Sequence, residues 1–300
     1  AERIVGTGYD ISVAALFGGT LELPDGYVLA NCSVRAWQEG AVLRSAAGEA
    51  GTIAVGPTAH LVIDTSVSFP GTLHVLAGGI IRHTGSSPAD HGYRLNLAVP
   101  RLTVDAGGRI TAAGYGYSSA KGPGAPLNDG LTARAGSHAG LAHDVGAMEA
   151  YGSIARPVAY GSGGQNGAGG GAIRLAVGDM FTLNDTVTAD GTGTSRSGAG
   201  GSVWIETARL AGAGAVSAKG GSHSSDAINC GGGGRIAVTL TGDGASFADF
   251  TGAFSARGGA TATRASGAGT VYLREPGQAE DDGTLLIDSG LATYADNLTP

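Results

Sequence analysis

Cysteine is nearly missing from the 300 residues. The chain has two, Cys32 and Cys230, far apart and in no CxxC or zinc-ligand spacing, so neither a disulfide framework nor a zinc ribbon organises it. Charge is sparse at 14% of residues, and of the 18 cations only Lys121 and Lys219 are lysines. With 25 acidic residues the net charge is −7, and a mildly acidic chain without a basic stripe is not built for nucleic acid. No apolar run approaches the ~18 residues of a membrane-spanning helix, so no membrane span is expected. Ten prolines without a Gly-X-Y period exclude collagen. A signal peptide is not recognisable; the start Ala1-Glu2-Arg3 is compatible with a mature N-terminus left by a peptidase that favours small residues.

What the chain has in excess is glycine, 56 residues, alongside a hydrophobic fraction of 42%. That apolar content can bury a core, whereas each glycine in a helix interior would cost about 1 kcal/mol. The expectation is an all-β protein. Its second half repeats: Gly169 to Gly191, Ala199 to Gly221, Gly231 to Gly259 and Gly267 to Gly290 each open on a glycine cluster followed by a short alternating strand. Ile173, Val203, Ile236 and Val271 hold one position in this pattern and stand 30, 33 and 35 residues apart. A four-residue strand with one apolar face cannot bury that face alone, so neighbouring repeats must stack. Unequal spacing and long Gly-rich connectors favour a right-handed parallel β-helix of about three strands per coil over a propeller of antiparallel blades. The first half carries the same grammar less regularly, as in Leu73 to Ile81 and Leu102 to Ile110. The reading is one elongated domain over residues 1–300, open or continued at its C-terminal end, where Leu285 to Asp288 forms a strand with no cap. The glycines are expected to supply positive φ and close approach of stacked loops.

The runs Gly231 to Val238, Phe254 to Gly259 and Gly267 to Leu273, with Tyr151-Gly152-Ser153 and Gly161 to Gly164, carry a resemblance. They resemble the Gly-rich β-helix repeats of very large extracellular proteins of environmental bacteria, and more loosely the pectin-lyase-like β-helix superfamily. The resemblance covers about residues 91–290 and implies the fold and a cell-surface setting. It supplies no catalytic residues.

Chemistry is expected in residues 113–171, where the repeat pattern lapses for longer than an ordinary connection. Three readings compete there. His138, His143 and Asp144 offer imidazole and carboxylate for a metal. No cofactor is required by the sequence, although a structural or catalytic Ca²⁺ is compatible with it. Elimination from a uronic acid needs a cation and a base, for which Arg134 or Arg156 with His143, Lys121 or a tyrosine qualify; hydrolysis needs paired carboxylates, drawn from Asp129, Asp144 and Glu149. The tyrosines Tyr115, Tyr117, Tyr151 and Tyr160 present sugar-stacking faces, and equally the means to pack the loop on the wall. The leading expectation is an extracellular structural or adhesive β-helix of a cell surface or filament, binding a polysaccharide or cell-surface glycan and associating with itself end to end. A polysaccharide lyase or glycoside hydrolase acting from residues 113–160 is the alternative.

Overall fold

The computed structural model describes residues 3–5, 13–16, 19–85, 94–126, 134–142, 149–193, 195–223, 229–261 and 264–289. Among these there is no α-helix, and the strands form two sheets of 13 and 8 strands. Among the described residues every pairing between strands is parallel except that of Thr270–Arg274 with Thr284–Leu286. The chain visits the sheets in turn. Ser66–Ser68 and Thr72–Val75 belong to the larger sheet, and Ile80–Arg82, which follows, belongs to the smaller. Leu95–Val104 then runs alongside both earlier strands of the larger sheet.

Period-two alternation produces columns of apolar side chains. Leu95, Ile173, Val203, Ile236 and Val271 are register partners across five strands, each at most 5% exposed. Leu61, Ile81, Ile110, Val187 and Val216 form the matching column of the smaller sheet. Burying each such side chain contributes about 1.5–3 kcal/mol, and no strand could gain it without its neighbours. The equivalence of Ile173, Val203, Ile236 and Val271 expected from the repeats is therefore the observed register. Residues 112–171 intervene between Arg109–Thr111 and Thr186–Thr188, yet those strands pair directly, Ile110 on Val187. In the larger sheet Asn96 lies on Arg174 across the same interval. The insertion leaves the ladder in register.

A bulge marks the corner of the larger sheet. Val99 pairs with Val177 but Arg101 pairs with Met180, so Gly178 and Asp179 stand opposite Pro100 alone. Proline has no N–H to give the ladder, which makes this the natural place for the extra residue.

The glycine runs form a second kind of packing, in which the expected close approach of stacked segments holds and the expected positive φ does not. None of Gly198, Gly200, Gly201 and Gly231 to Gly234 has positive φ. They are glycine because backbone lies where a side chain would go: a Cβ on Gly198 would sit 2.1 Å from the Ala168 carbonyl oxygen, and one on Gly233 would sit 2.0 Å from that of Ala256. Successive N–H groups of one run donate to different neighbouring segments. Gly198 donates to Thr192, Ala199 to Ser162, Gly200 to Gly232 and Gly201 to Ala189, all at 2.7–2.9 Å. Gly231 and Gly234, three residues apart, return to one neighbour, donating to Gly221 and Ala218. That three-residue recurrence is the period of a polyproline-II helix, which makes no internal hydrogen bonds and must find partners outside itself. The insertion belongs to this bundle through Gly136 N–H on Ser197 and Gly140 N–H on Gly233. Irregular in secondary structure, it is hydrogen-bonded to the runs beneath at several points along its described part.

Candidate functional site

Two places gather chemically useful side chains. The first lies under the insertion. Tyr115 and Tyr160 flank the ring of His83, with centroids 5.5 and 6.2 Å away, and Tyr117 packs edge-on to Tyr160 at 5.6 Å. Tyr151 packs against His138 at 4.6 Å, and its hydroxyl meets the Tyr160 carbonyl and the Ser162 hydroxyl at 2.7 Å each. The four tyrosines singled out in the sequence are thus brought into one region. Tyr160 is buried and the other three are half-buried. Burial pushes the Tyr151 and Tyr160 phenols above their ordinary range.

His83 and His138 are both fully buried. Nδ1 of each lies on a carbonyl oxygen, Thr84 at 2.7 Å and Gly200 at 2.8 Å, which can only accept, so Nδ1 carries the proton. Nε2 is then a lone pair without a hydrogen-bond partner in both rings. Desolvation pulls both imidazoles down to about 4, assisted at His138 by the Arg235 guanidinium and at His83 by Arg82 and Arg94. Arg235 is itself buried, donating Nε to the Tyr151 carbonyl at 2.8 Å and Nη1 to Thr270 Oγ1 at 3.2 Å.

The remaining candidates disperse. His143, Asp144 and Asp129 lie outside the described residues. Arg156 is exposed and pairs with Glu280 at 2.8 Å, joining the insertion to the turn before the last strand. Arg134 sits on the bundle, its carbonyl accepting from Gln165 N–H at 3.2 Å. Lys121 and Glu149 are exposed or nearly so. Among the described residues no three His, Cys, Asp or Glu side chains converge as a metal site, and no helix is long and apolar enough to cross a membrane. Cys32 and Cys230 are buried free thiols, pushed up by desolvation.

The second place is a cavity of about 390 Å³ on the outer face of the larger sheet, roofed on one side by Pro157 and Val158 of the insertion. Its floor is a row of register partners, Ser66, Asn96, Arg174 and Trp204, one from each of four successive strands. At about 4.8 Å per strand the row is roughly 14 Å long. Asn96 donates to Ser66 at 2.7 Å, and the Arg174 guanidinium lies 4.3 Å from the centre of the Trp204 ring. Arg94 stands at the wall, its Nε donating to the Val158 carbonyl at 2.9 Å. Asp64 lines the cavity with its carboxylate already saturated, by Arg35 at 2.6 Å and by Thr84 N–H and Oγ1 at 2.6 and 2.9 Å. Beyond Trp204 the row closes: Ala237 is fully buried and Tyr272 is 6% exposed.

No family model, curated protein or solved structure matches the chain. The site stands on its own geometry.

Sequence reasoning passed over Arg174, Trp204, Asn96 and Arg94. A signal was present. Once Ile173 and Val203 are aligned, Arg174 and Trp204 are adjacent outward positions of the same row, and an outward tryptophan beside an arginine is uncommon on a plain solvent face.

Proposed function

We propose that the chain is a right-handed parallel β-helix of about three strands per coil, serving outside the cell as a structural or adhesive element that contacts glycan and a second copy of itself. What supports this reading is the continuous in-register ladder, which gives a rigid stack. Among the described residues Thr284–Leu286 is paired on one side only, and Leu285, Leu286 and Ile287 are 45%, 44% and 51% exposed. An apolar strand edge of this kind presents unpaired N–H and C=O groups to any strand that reaches it. A cavity lined by Phe254, Val271, Leu286 and Ile287 adjoins it.

The test is sedimentation velocity with negative-stain microscopy over a range of concentrations, comparing the chain with Leu286→Lys. Assembly that grows with concentration and is lost in the lysine variant supports the reading. Monomers of both at every concentration overturn end-to-end association and leave the structural role without support.

A further inference from the structure

We infer that the cavity over Ser66, Asn96, Arg174 and Trp204 is a binding site for an extended anionic polysaccharide of the polyuronate class, the sugar ring lying against Trp204 and its carboxylate between Arg94 and Arg174. This rests on the glycan reading above and supplies its location and ligand class.

Four observations converge. The floor is polar and aromatic rather than aliphatic, with groups repeating every ~4.8 Å along the stack, close to the advance per sugar of an extended glycan. A volume of about 390 Å³ lies within the ordinary range for a small-molecule or oligomer site. The guanidinium groups have donors to spare: among the described residues Arg94 gives Nε to Val158 and lies 5.5 Å from the centre of the Tyr160 ring, and Arg174 gives one Nη2 contact to Glu206 at 3.3 Å. The Nη groups that are not so used can donate to a carboxylate oxygen in the groove. The carboxylates nearby do not cancel this cationic character evenly. Asp64 is neutralised by Arg35 and enclosed by Thr84, which leaves exposed Glu39 at the cavity lining and Glu206, 3.3 Å from Arg174, to oppose an anion.

The polarity fixes an orientation. The acidic sugar sits at the Arg174–Trp204 end, and the chain leads toward Asn96 and Ser66, whose amide and hydroxyl suit neutral sugar hydroxyls. Edge stacking on tryptophan and bidentate guanidinium–carboxylate pairing are separable contributions, so each substitution has its own signature.

The experiment is calorimetric titration with oligogalacturonate and with a neutral gluco-oligosaccharide of equal length, on the full chain and on Trp204→Ala, Arg174→Gln, Arg94→Gln and Glu39→Gln. The inference expects the uronate oligomer to bind more tightly and its affinity to drop with salt. Arg174→Gln should weaken it by about ten-fold or more while leaving neutral binding nearly unchanged. Trp204→Ala should weaken both ligands, and Glu39→Gln should tighten the uronate alone. Circular dichroism of each variant separates loss of binding from loss of fold. Equal binding of both oligomers with no response to Arg174→Gln or Arg94→Gln overturns the anionic ligand class. Binding that survives all four substitutions overturns the location while leaving glycan binding intact. No binding to either oligomer overturns the inference as a whole, and self-association, read separately by sedimentation, is untouched by that result.

Discussion

A single methyl group at Gly200 should destabilise the middle of the ladder. A Cβ there would lie 2.0 Å from the Ala218 carbonyl oxygen and 2.7 Å from Gly234 N, both backbone atoms that cannot rotate away. To admit it, two hydrogen-bonded segments must separate, disturbing Gly200 N–H on Gly232 and Gly234 N–H on Ala218, at 2.9 and 2.8 Å. Overpacking costs about 1–3 kcal/mol and each strained hydrogen bond about 1 kcal/mol, so the penalty is about 4 kcal/mol. Gly178 is the control: it is exposed at the bulge, and a Cβ would meet only Pro100 Cα at 3.6 Å. There the same change should be neutral, or stabilising by about 0.4–1 kcal/mol through the unfolded chain. The chain has two tryptophans, and Trp204 lies in the strand that follows Gly200, so a Trp37→Phe background reports local unfolding by fluorescence in urea. With m near 3 kcal/mol/M, Gly200→Ala should lower the midpoint by about 1 M. The loss should be greater by this probe than by Trp37 in a Trp204→Phe background, because a stacked ladder couples mainly to nearest neighbours. If Gly200→Ala unfolds where Gly178→Ala does, the carbonyls are not packed as described and the glycine-bundle argument fails.

Other expectations follow from the same geometry. Ile205→Ala, in a fully buried column, should cost about 2–5 kcal/mol by urea denaturation; a cost under ~1 kcal/mol would show that the columns are not closed. His83 and His138 titrate at about 4 when folded against 6.5 when unfolded, so as pH drops the unfolded chain takes up protons first. Their stabilisation is complete above pH ~6.5 and is lost between there and pH ~4, up to about 3 kcal/mol each. The double variant His83→Gln/His138→Gln should show a flatter stability profile across that window, and an unchanged slope would contradict the burial of these rings. Arg156→Ala removes an ion pair exposed on both sides, so its effect on the thermal midpoint should be small, within about 1 kcal/mol. A large loss would mean that the Arg156–Glu280 contact holds the insertion in place.

The apolar columns were legible because alternation and the leading glycine cluster recur together, which fixes Ile173, Val203, Ile236 and Val271 without any knowledge of the turns between them. The role of the glycine runs was legible only in part: close approach of stacked loops was expected of them, and so was a positive φ that Gly198 and Gly233 do not adopt. A glycine kept for positive φ and a glycine kept to leave room for a carbonyl are written with the same letter, and only the neighbours of Gly198 or Gly233 distinguish them. The four tyrosines fall in one stretch of the sequence, but their partners were not readable, since His83 comes from a different part of the chain and reaches Tyr115 and Tyr160 only through the stack. The groove was hidden for a related reason. Its floor follows from aligning repeats, whereas its wall depends on where Pro157 and Val158 settle, which involves a contact across 64 residues, Arg94 Nε on the Val158 carbonyl, rather than local pattern.

The central claim is that the ladder continues in register across the insertion, and paired cysteines test it directly. Ala98 and Ala176 are outward-facing register partners although 112–171 falls between them, and Glu206 is one strand further on. A disulfide needs Cα atoms within about 4.4–6.8 Å, which one strand spacing satisfies and two, roughly 9.6 Å, do not. Under mild oxidation Ala98→Cys/Ala176→Cys should cross-link, and Ala98→Cys/Glu206→Cys should remain reduced, as read by peptide mass mapping. Cross-linking of the second pair, or of neither, would contradict the account.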